Sequence, residues 1–547
     1  MLDGCVPWPS ADAANYRERR YWTDEPLGIL LTRQAEQRGA HAALIDGDGN
    51  RLSYAELNTR ADRMAAGLHG IGLRAGDRII VQLPNVNDFV VLVFAALRLG
   101  ALPVLALPAH RESEIVHLCE LAEAKAYVFP GSSDEFDYQA LAHTVRKAVP
   151  GVRHLLCSGE AGEFAQLPEA EPIPLPAPDP SDVALFLLSG GTTGTPKLIP
   201  RTHNDYLYNA RASAEVCELD EHTVYLAALP AAHNFTLACP GILGTLAVGG
   251  TVVLAPTPSP DDAFRLIARD RVTITAVVPP IALLWMDAVE WDDTDLSSLR
   301  VLQVGGARLK EEPARRVTGT LGCALQQVFG MAEGLLNYTR LDDPLDLVVG
   351  TQGRPMSPAD EIRVLDEDGN DVPPGETGEL LTRGPYTLRG YYRAPEHNAR
   401  SFTEDGYYRC GDVVRVLPSG HLIVEGRVKD QINRGGDKIS AEELENHILA
   451  HPAVHDAAVV GMTDEVMGER TCAFLVAGKD ETPPTLRQLT RFLRERGVAA
   501  YKLPDRVEVV DSFPRTTVGK ISKKVLGEWI SAKLTAESGA TDTVNAP

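Results

Sequence analysis

Short apolar runs recur along this chain and are separated by segments of helical character, a pattern that limits the fold more than any other feature. The runs VALFLL (183–188), TVVLA (251–255), ITAVV (274–278) and LRVLQV (299–304) are continuous rather than alternating. Continuous, β-branched runs are typical of strands buried on both faces of a parallel sheet. The pattern therefore predicts an α/β fold with large, mostly parallel sheets, covered by helices such as those expected after Thr202 and Pro280.

The pattern changes near residue 428, where GRVKDQINRGGDKIS (426–440) is rich in glycine and charge. Beyond it, EELENHILAHP and LRQLTRFLRERG are typical of helices, and VHDAAVVG and TCAFLVAG are typical of strands. A chain of 547 residues also exceeds one ordinary core. We predict a large N-terminal domain of several subdomains over residues 1–429 and a small α+β domain over 430–547, with a disordered tail from about 535.

Composition excludes several classes of function. The chain has 53 basic and 75 acidic side chains, a formal net charge of -22, so neither nucleic-acid nor membrane binding is expected. The cysteines lack CxxC spacing, which argues against a zinc framework or a disulfide scaffold. The N-terminus lacks the apolar core of a signal peptide, and the apolar stretch 89–109 is interrupted by Arg98 and two prolines. We expect a cytoplasmic protein, with a buried helix and strand in that stretch.

A run rich in glycine and hydroxyl groups follows one of the buried strands, LLSGGTTGTPKLIPRTH (187–203). Glycines let the backbone approach a ligand, hydroxyls supply hydrogen bonds and a lysine adds positive charge, which together suit a polyphosphate. The Walker A loop requires glycine directly before its lysine, and Pro196 stands there instead. The run predicts a phosphate-binding loop of another kind.

This run is similar to the phosphate-binding loop of the adenylate-forming superfamily, which includes acyl-CoA synthetases, luciferases and the adenylation domains of nonribosomal peptide synthesis. Four further runs resemble its signatures in the same order: FGMAEG (329–334), YYRCGDVV (407–414), EGRVKDQINRGGDKIS (425–440) and PRTTVGKIS (514–522). The resemblance spans essentially the whole chain. It implies an enzyme that joins a carboxylate to AMP, using ATP and Mg²⁺, and a small domain that is mobile between two half-reactions.

The resemblance also implies roles for single residues. Glu333 would hold Mg²⁺ against the phosphates, and Lys520 would bridge the attacking carboxylate and the α-phosphate. Asp430 would be the hinge of the small domain, whose rotation would bring Lys438 to the active site for thioester formation. Asp412 would bind the ribose hydroxyls. The full set of expected ATP contacts is Ser189, Gly190, Gly191, Thr192, Thr193, Gly194, Lys197, Ala307, Ala332, Asp412 and Arg427.

The segment HNFTLACPG (233–241) matches the place where this superfamily carries a gating residue and its first specificity residue. Asn234 stands where amino-acid-activating domains carry an Asp that pairs with an α-ammonium group. A neutral amide can instead hydrogen-bond a phenolic hydroxyl, as in the stand-alone aryl-acid ligases of siderophore and related pathways. His233 would be the gate, and we expect no metal site or nucleophile in the segment. The remaining pocket residues implied are Phe235, Gly305, Gly306 and Val328.

Two pocket positions, Cys239 and Leu336, bear on the choice of acid. In this subgroup, ligases for 2,3-dihydroxybenzoate typically have Ser and Val there, whereas salicylate ligases have Cys and Leu. Cys is larger than Ser and a weaker hydrogen-bond partner, and Leu is a methylene larger than Val, so both fill the space of a 3-hydroxyl. We expect salicylate to be preferred and 2,3-dihydroxybenzoate to be a weaker substrate, since an apolar pocket rejects an added hydroxyl by only about 10²-fold.

The acyl acceptor is expected to be a separate molecule, because too few residues follow Lys520 for a fused carrier domain. It would be the phosphopantetheine thiol of an aryl carrier protein, or coenzyme A, in which case the enzyme is an aryl-CoA ligase. Other acids, such as 3-hydroxypicolinate or 2-aminobenzoate, stay open as alternatives. So does a catalytically inactive, ligand-binding relative, although Glu333, Asp412, Arg427 and Lys520 are all present. The sequence leaves open whether the protein is a homodimer.

Overall fold

A computed structural model describes most of the chain: residues 1–131, 136–189, 196–366, 368–434, 437–464, 468–479, 481–496, 498, 500–516 and 520–542. The chain divides into two compact units. The first comprises Met1–Ile362 and Thr382–Arg409, and the second comprises Arg363–Leu381 and Cys410–Pro547. The domain boundary between residues 429 and 430 stays a prediction.

The strands of the described residues are β1 Ala42–Ile45, β2 Arg51–Ser53, β3 Arg78–Val81, β4 Leu102–Leu105, β5 Ala126–Pro130, β6 His154–Ser158, β7 Ala165–Gln166, β8 Val183–Leu188, β9 Leu198–Thr202, β10 Val224–Ala227, β11 Thr251–Leu254, β12 Ile274–Val277, β13 Val301–Gly305, β14 Ala324–Met331, β15 Gly334–Tyr338, β16 Arg354–Pro355, β17 Glu361–Leu365, β18 Thr377–Arg383, β19 Tyr408–Val416, β20 Leu422–Arg427, β21 Gln431–Arg434, β22 Asp437–Ser440, β23 Val454–Asp464, β24 Gly468–Ala477 and β25 Arg506–Val509. The α-helices are α1 Ser10–Glu18, α2 Ile29–Arg38, α3 Tyr54–Gly70, α4 Asn87–Leu99, α5 Glu112–Leu121, α6 Tyr138–Ala148, α7 His203–Val216, α8 Asn234–Ala238, α9 Gly241–Ala247, α10 Pro260–Asp270, α11 Pro279–Ala288, α12 Glu311–Leu321, α13 Leu345–Gly350, α14 Pro395–Ser401, α15 Ala441–Leu449, α16 Leu486–Glu495 and α17 Lys523–Asp542.

Two sheets dominate the first unit. One has the strand order β16-β15-β14-β13-β12-β10-β11-β1-β2, and the other has the order β7-β6-β5-β3-β4-β8-β9. The inner pairs of both sheets are parallel, and antiparallel pairing is confined to the edges at β14–β15, β15–β16, β1–β2 and β8–β9. The predicted α/β class with mostly parallel sheets is confirmed, and the four quoted apolar runs coincide with all or most of the strands β8, β11, β12 and β13.

The first sheet has one apolar face and one face that holds polar side chains. Because successive side chains of a strand point to opposite faces, Leu302 and Val304 of β13 join a core that includes Trp285 of α11. Full burial of such a side chain is worth roughly 1.5–3 kcal/mol. Gln303 and Gly305 of the same strand lie on the other face, where Phe235 of α8 packs on Gly305 and Gln303 bonds Cys217, the residue after α7. This second face is the floor of the candidate site.

The second unit has a smaller, mainly antiparallel organisation. A sheet of order β22-β21-β24-β23, with β25 alongside β24, packs α15 and α16 on one face through Leu444, Ile448, Leu489 and Leu493. Leu526 and Ile530 of α17 pack into a separate cluster with Phe513. A four-stranded sheet of order β17-β18-β19-β20 precedes these elements in the chain.

The C-terminal helix is longer than the sequence suggested. Disorder was expected from about residue 535, but α17 continues to Asp542. Its later turns are joined to β25 by ion pairs, because Arg506 bonds Glu537 at 2.7 Å and Lys533 bonds Glu508 at 2.6 Å. Residues 543–547 lie outside the described part of the chain.

The apolar stretch 89–109 folds into nearly all of α4 and the strand β4, as a buried helix followed by a buried strand. Within the described residues, no helix combines the length and the apolar character needed to cross a bilayer.

Candidate active site

Glu333 lies in a tight turn that is constrained by packing and by a backbone hydrogen bond. Ala332 and Glu333 form the turn of the β14–β15 hairpin, and Gly334 follows with a φ of 151°. A Cβ on Gly334 would come within 2.5 Å of Thr387 Cα, so the turn has room only for glycine there. The backbone N–H of Leu388 donates to the Glu333 carbonyl at 2.7 Å. The position of the Glu333 backbone is therefore strongly constrained.

The carboxylate of Glu333 is also oriented, by a tyrosine that the sequence analysis did not identify. The Tyr391 hydroxyl donates to Glu333 Oε1 at 2.7 Å, and it lies 2.8 Å from the hydroxyl of Tyr408. Burial raises the pKa of Tyr391, so its hydroxyl stays protonated and remains a donor. Lys197 Nζ lies 5.8 Å from the centre of the Tyr391 ring. No sequence signal links Tyr391 to Glu333, because the two residues are distant in the chain.

The ends of the predicted phosphate-binding loop meet in the β8–β9 hairpin. Lys197 donates its backbone N–H to Ser189 Oγ at 3.0 Å, and the Ser189 N–H donates to the Lys197 carbonyl at 3.0 Å. This pairing brings Lys197 towards Tyr391 and Glu333. The other predicted members of the loop lie outside the described residues: Gly190, Gly191, Thr192, Thr193 and Gly194.

The predicted aryl-acid residues Asn234 and Cys239 are hydrogen-bonded to each other at the two ends of α8. Asn234 Nδ2 donates to Cys239 Sγ at 3.4 Å, and Cys239 Sγ donates to the Asn234 carbonyl at 3.3 Å. The Asn234 Oδ1 accepts from the buried Tyr206 hydroxyl at 2.7 Å. His233 begins the helix, its Nδ1 accepting the backbone N–H of Phe235 at 3.2 Å. Burial raises the pKa of Cys239 to about 12, so it is a neutral thiol and a poor nucleophile.

The opposite side of this segment is the polar face of the first sheet. Gly305 of β13 pairs with Val328 of β14, and a Cβ on Gly305 would lie 2.9 Å from Phe235 Cζ. The Phe235 ring therefore lies directly on a glycine. Leu336 of β15 packs just as closely on Gly330, where an added Cβ would be 2.3 Å from Leu336 Cδ2. The structure thus brings the predicted pocket residues of α8, β13, β14 and β15 together.

Gly306 and Ala307, also predicted for the site, follow β13 directly. Gly306 has a φ of 77°, a left-handed conformation that favours glycine, and Ala307 is exposed. The turn at Gly306 carries the chain away from the sheet beside Gly305.

Polar side chains beneath this pocket were also missed by the sequence analysis. Gln303 Nε2 donates to Cys217 Sγ at 3.2 Å and to Gln326 Oε1 at 2.8 Å. Within the described residues, Gln303 Oε1 and Tyr225 Oη are buried without a hydrogen-bond partner. An unpaired buried polar atom costs about 1–3 kcal/mol, so each of these atoms is a position where a ligand or a water would complete the bonding. A glutamine inside the apolar run LRVLQV was the available signal.

Leu336 is held in place by its backbone as well as by packing. Its N–H donates to the Tyr386 hydroxyl at 3.0 Å, and that hydroxyl donates to Asp360 Oδ2 at 2.6 Å. Asp360 Oδ1 is buried and, among the described residues, has no hydrogen-bond partner. Burial raises the pKa of Asp360 to about 7, against the opposing effect of the Tyr386 hydrogen bond.

This environment predicts a pH-dependent stability that depends on Asp360. A carboxyl group with a raised pKa stabilises the folded state at low pH, and that contribution is lost as pH rises from about 4 through 7. In Asp360→Asn the amide mimics the protonated acid. We expect wild type to lose on the order of 3 kcal/mol relative to this variant between pH 5 and pH 8. Thermal melting of both proteins across this range measures the difference, and parallel curves would contradict the prediction.

In the second unit, Asp412 and Arg427 form an ion pair across the β19–β20 ladder, with Arg427 Nε 2.8 Å from Asp412 Oδ1. Burial raises the pKa of Asp412, and the charges of Arg427 and Lys520 oppose that rise. Lys520 is exposed, and its backbone N–H donates to Thr516 Oγ1 at 3.2 Å. These three predicted residues therefore interact within the second unit.

The predicted hinge and the predicted thioester-forming lysine lie close together in the chain. Asp430 ends the single 3₁₀ turn Val428–Asp430, between β20 and β21. Lys438 pairs through its backbone with Asn433 in the β21–β22 hairpin, and its side chain lies outside the described part of the structure. The roles of both residues stay predictions.

The protein residues fit a magnesium ion that is shared with a substrate. Within the described part of the chain, no group of three or more His, Cys, Asp or Glu side chains could hold a metal ion alone. Mg²⁺ is commonly bound by one or two carboxylates together with substrate phosphates. The single carboxylate of Glu333, on a constrained turn and near Lys197, matches that chemistry.

Comparison with known proteins gives matches along the whole chain. Residues 31–392 match the family described as AMP-binding enzyme, and residues 443–520 match the AMP-binding enzyme C-terminal domain. The chain is 59% identical to a 2,3-dihydroxybenzoate-AMP ligase of Bacillus subtilis (strain 168), over 98% of this chain and 99% of the relative.

Two mycobacterial proteins are also similar. The chain is 49% identical to the salicyl-AMP ligase / salicyl-S-ArCP synthetase of Mycobacterium tuberculosis, over 96% of this chain and 94% of the relative. The apo structure of MbtA from Mycobacterium smegmatis superposes with a TM-score of 0.75 at 50% identity, covering 96% of this chain and 98% of that one.

Proposed function

This chain belongs to the family of AMP-binding enzymes, among which its relatives include aryl-acid AMP ligases, and we propose that it activates salicylate. Salicylate and ATP would give salicyl-AMP and pyrophosphate, and the salicyl group would then pass to the phosphopantetheine thiol of an aryl carrier protein. The observation that carries this proposal is the buried Asn234–Cys239 pair, on the same short helix whose Phe235 packs on Gly305 of the sheet.

The pocket supports salicylate over 2,3-dihydroxybenzoate. The Cys239 thiol is bonded to Asn234 both as a donor and as an acceptor, and a thiol is a weak partner for a further hydroxyl. Leu336 occupies the space against Gly330. Overall identity does not decide the acid, because one relative is named for 2,3-dihydroxybenzoate and another for salicylate. The choice therefore rests on the pocket residues, with 3-hydroxypicolinate as a further alternative.

In the proposed adenylation, a salicylate carboxylate oxygen attacks the α-phosphorus of ATP, and the bond from that phosphorus to the pyrophosphate oxygen breaks. Both reactants are anionic, so catalysis requires neutralised charge and fixed positions. Mg²⁺ would neutralise phosphate charge and would be held by Glu333. Lys520 would stabilise charge on the attacking carboxylate and the α-phosphate, and Lys197 would bind phosphate. The amide of Asn234 would face the 2-hydroxyl of the acid.

The remaining predicted residues would serve ribose binding and the second half-reaction. Asp412 and Arg427 would bind the ribose hydroxyls, to which the buried carboxylate can offer acceptor positions. In thioester formation the carrier thiol attacks the acyl carbon and AMP leaves. Asp430 would be the hinge and Lys438 would act in this step. A relative named salicyl-S-ArCP synthetase supports a carrier protein as the acceptor, and a relative named salicylyl-CoA synthase keeps coenzyme A as the alternative.

The proposal is tested by ATP–pyrophosphate exchange with salicylate, 2,3-dihydroxybenzoate, 3-hydroxypicolinate and benzoate as separate substrates. Salicylate is expected to give the highest kcat/KM. A higher kcat/KM with 2,3-dihydroxybenzoate would overturn the pocket interpretation while leaving the reaction class intact. Incubation of the activated acid with a phosphopantetheinylated aryl carrier protein and, separately, with coenzyme A identifies the acceptor.

The double variant Cys239→Ser/Leu336→Val is expected to shift the enzyme towards 2,3-dihydroxybenzoate. The serine hydroxyl can bond a 3-hydroxyl and valine leaves a methylene of space, so the kcat/KM ratio of the two acids should change by about 10–200-fold. Exchange kinetics with both acids measure the ratio. Cys323→Ser is the matched control, because this buried thiol lies in the apolar core on the other face of the sheet. An equal ratio in the double variant and the control would contradict the prediction.

A further inference from the structure

Arg201, near the end of β9, carries a charge that is buried inside the first unit. Its side chain is 1% exposed and forms an ion pair with Asp205, which is 4% exposed, at 2.8 Å. Asp205 in turn accepts the Thr202 N–H at 2.7 Å, within the capping box that begins α7. Replacing a buried ion pair by apolar residues of similar size is often neutral or stabilising, so stability alone gives little reason to place a charge here.

The other nitrogens of the guanidinium bond two segments of the candidate site. Arg201 Nη1 donates to the carbonyl of Ala332 at 2.9 Å, and Nη2 donates to the carbonyl of Tyr386 at 3.1 Å. Ala332 directly precedes Glu333 in the hairpin turn. Tyr386 accepts the backbone N–H of Leu336 through its hydroxyl, at 3.0 Å. One side chain therefore links the turn of the proposed magnesium carboxylate to the strand that carries a pocket residue.

Arg201 also contacts Tyr206, whose hydroxyl bonds Asn234, the residue proposed to recognise the acid. Its guanidinium carbon lies 4.7 Å from the centre of the Tyr206 ring. The Tyr206 hydroxyl donates to Asn234 Oδ1 at 2.7 Å. Because a guanidinium is planar and its N–H directions are fixed, it can hold two carbonyls, a carboxylate and a ring at once, whereas a lysine ammonium cannot reproduce that geometry.

We propose that Arg201 is a positioning residue that couples acid recognition to nucleotide activation, by holding the Glu333 turn and the Tyr206–Asn234 pair in one arrangement. The inference rests on the proposed function and deepens it. Arg201 contacts neither the acid nor the nucleotide in this scheme. It acts through Ala332 on the metal side and through Tyr206 on the acid side.

The test compares Arg201→Lys with Tyr206→Phe in ATP–pyrophosphate exchange, using salicylate and benzoate as substrates. Benzoate lacks the 2-hydroxyl, so the salicylate-to-benzoate ratio of kcat/KM reports the position of Asn234. Tyr206→Phe removes only the hydroxyl that bonds Asn234, and it should lower this ratio by about 10-fold with an unchanged KM for ATP. Arg201→Lys should lower the ratio to a similar extent, raise the KM for ATP and lower kcat by about 10-fold.

The double variant Arg201→Lys/Tyr206→Phe tests the coupling itself. If Arg201 acts on the acid through Tyr206, the ratio in the double variant should fall little below that of either single variant, because both changes break the same connection. If the ratio in the double variant falls by the product of the two single-variant changes, the two effects are independent and the inference is overturned. Thermal melting of each variant reports whether the fold is retained.

Arg78→Lys controls for a purely structural role, because Arg78 is also buried and donates to a backbone carbonyl, that of Gly76, in the other sheet. If Arg201→Lys changes only the melting temperature, as this control is expected to do, the inference is wrong. ATP–pyrophosphate exchange by the wild-type protein distinguishes failure of the proposed function from failure of the positioning role of Arg201. Activity with salicylate but unchanged ratios in the variants overturns the positioning role alone, whereas no exchange with any acid overturns the proposed function and the inference with it.

Discussion

Replacing Lys520 by methionine is expected to reduce salicylate-dependent ATP–pyrophosphate exchange by about 10²–10³-fold, the usual cost of removing one preorganised group that stabilises transition-state charge. Methionine keeps an unbranched side chain and removes the ammonium. The charge of this ammonium already acts on the protein, because it opposes the rise in the pKa of Asp412 that burial causes within the second unit. The loss should appear mainly in kcat, since the interaction is expected to be strongest in the transition state.

The second half-reaction provides the sharper part of this experiment. When preformed salicyl-AMP and a carrier protein are supplied, Lys520→Met should transfer the acyl group at close to the wild-type rate. Lys524→Met is the matched control, because Lys524 is four residues away and 69% exposed. A variant that exchanges pyrophosphate like this control, or that loses both half-reactions equally, would contradict the proposed role of Lys520.

The substitution Glu333→Gln is expected to lower exchange by about 10²-fold and to raise the Mg²⁺ concentration needed for half-maximal rate. The glutamine amide can still accept the Tyr391 hydrogen bond, so the turn should keep its shape while the charge is lost. Tyr391→Phe does the reverse, because it keeps the charge and removes the bond that orients it. Its effect should be smaller, about 10-fold. It should appear chiefly as a higher Mg²⁺ concentration for half-maximal rate, because loss of an outer-shell partner commonly lowers metal affinity.

Titration of the exchange rate with Mg²⁺ distinguishes these two changes. Glu312→Gln is the control for loss of a carboxylate, because Glu312 is 73% exposed and lies on α12 outside the site. If Glu333→Gln requires no more Mg²⁺ than this control, the carboxylate does not bind the metal and the assignment fails.

The fold class followed from local patterns, whereas much of the site depends on contacts distant in sequence. The apolar runs predicted β8, β11, β12 and β13 because burial on both faces leaves a continuous signature. The segment from His233 to Cys239 could also be identified, since its residues are adjacent in the chain. The link from Tyr391 to Glu333 could not, because it forms only when the chain after β18 returns to the β14–β15 hairpin.

Arg201 could not be identified from the sequence either, because its environment also depends on residues distant in the chain. In the sequence it is one basic residue shortly after a glycine-rich loop, and such a residue is usually solvated surface. Its burial results from three segments converging on β9, which no local pattern records. The helical structure of residues 535–542, where a disordered tail was expected, depends on a similar contact, because the bond of Glu537 to Arg506 joins distant parts of the chain.

The compactness of the proposed acid-binding wall has an evolutionary consequence. Asn234 and Cys239 occupy the two ends of one short helix and bond each other, and Leu336 faces a glycine on the neighbouring strand. Codons for Cys and Ser can differ by a single nucleotide, as can codons for Leu and Val. A lineage with this scaffold could therefore exchange one aromatic substrate for another through two point mutations, while its adenylation chemistry stayed under unchanged selection.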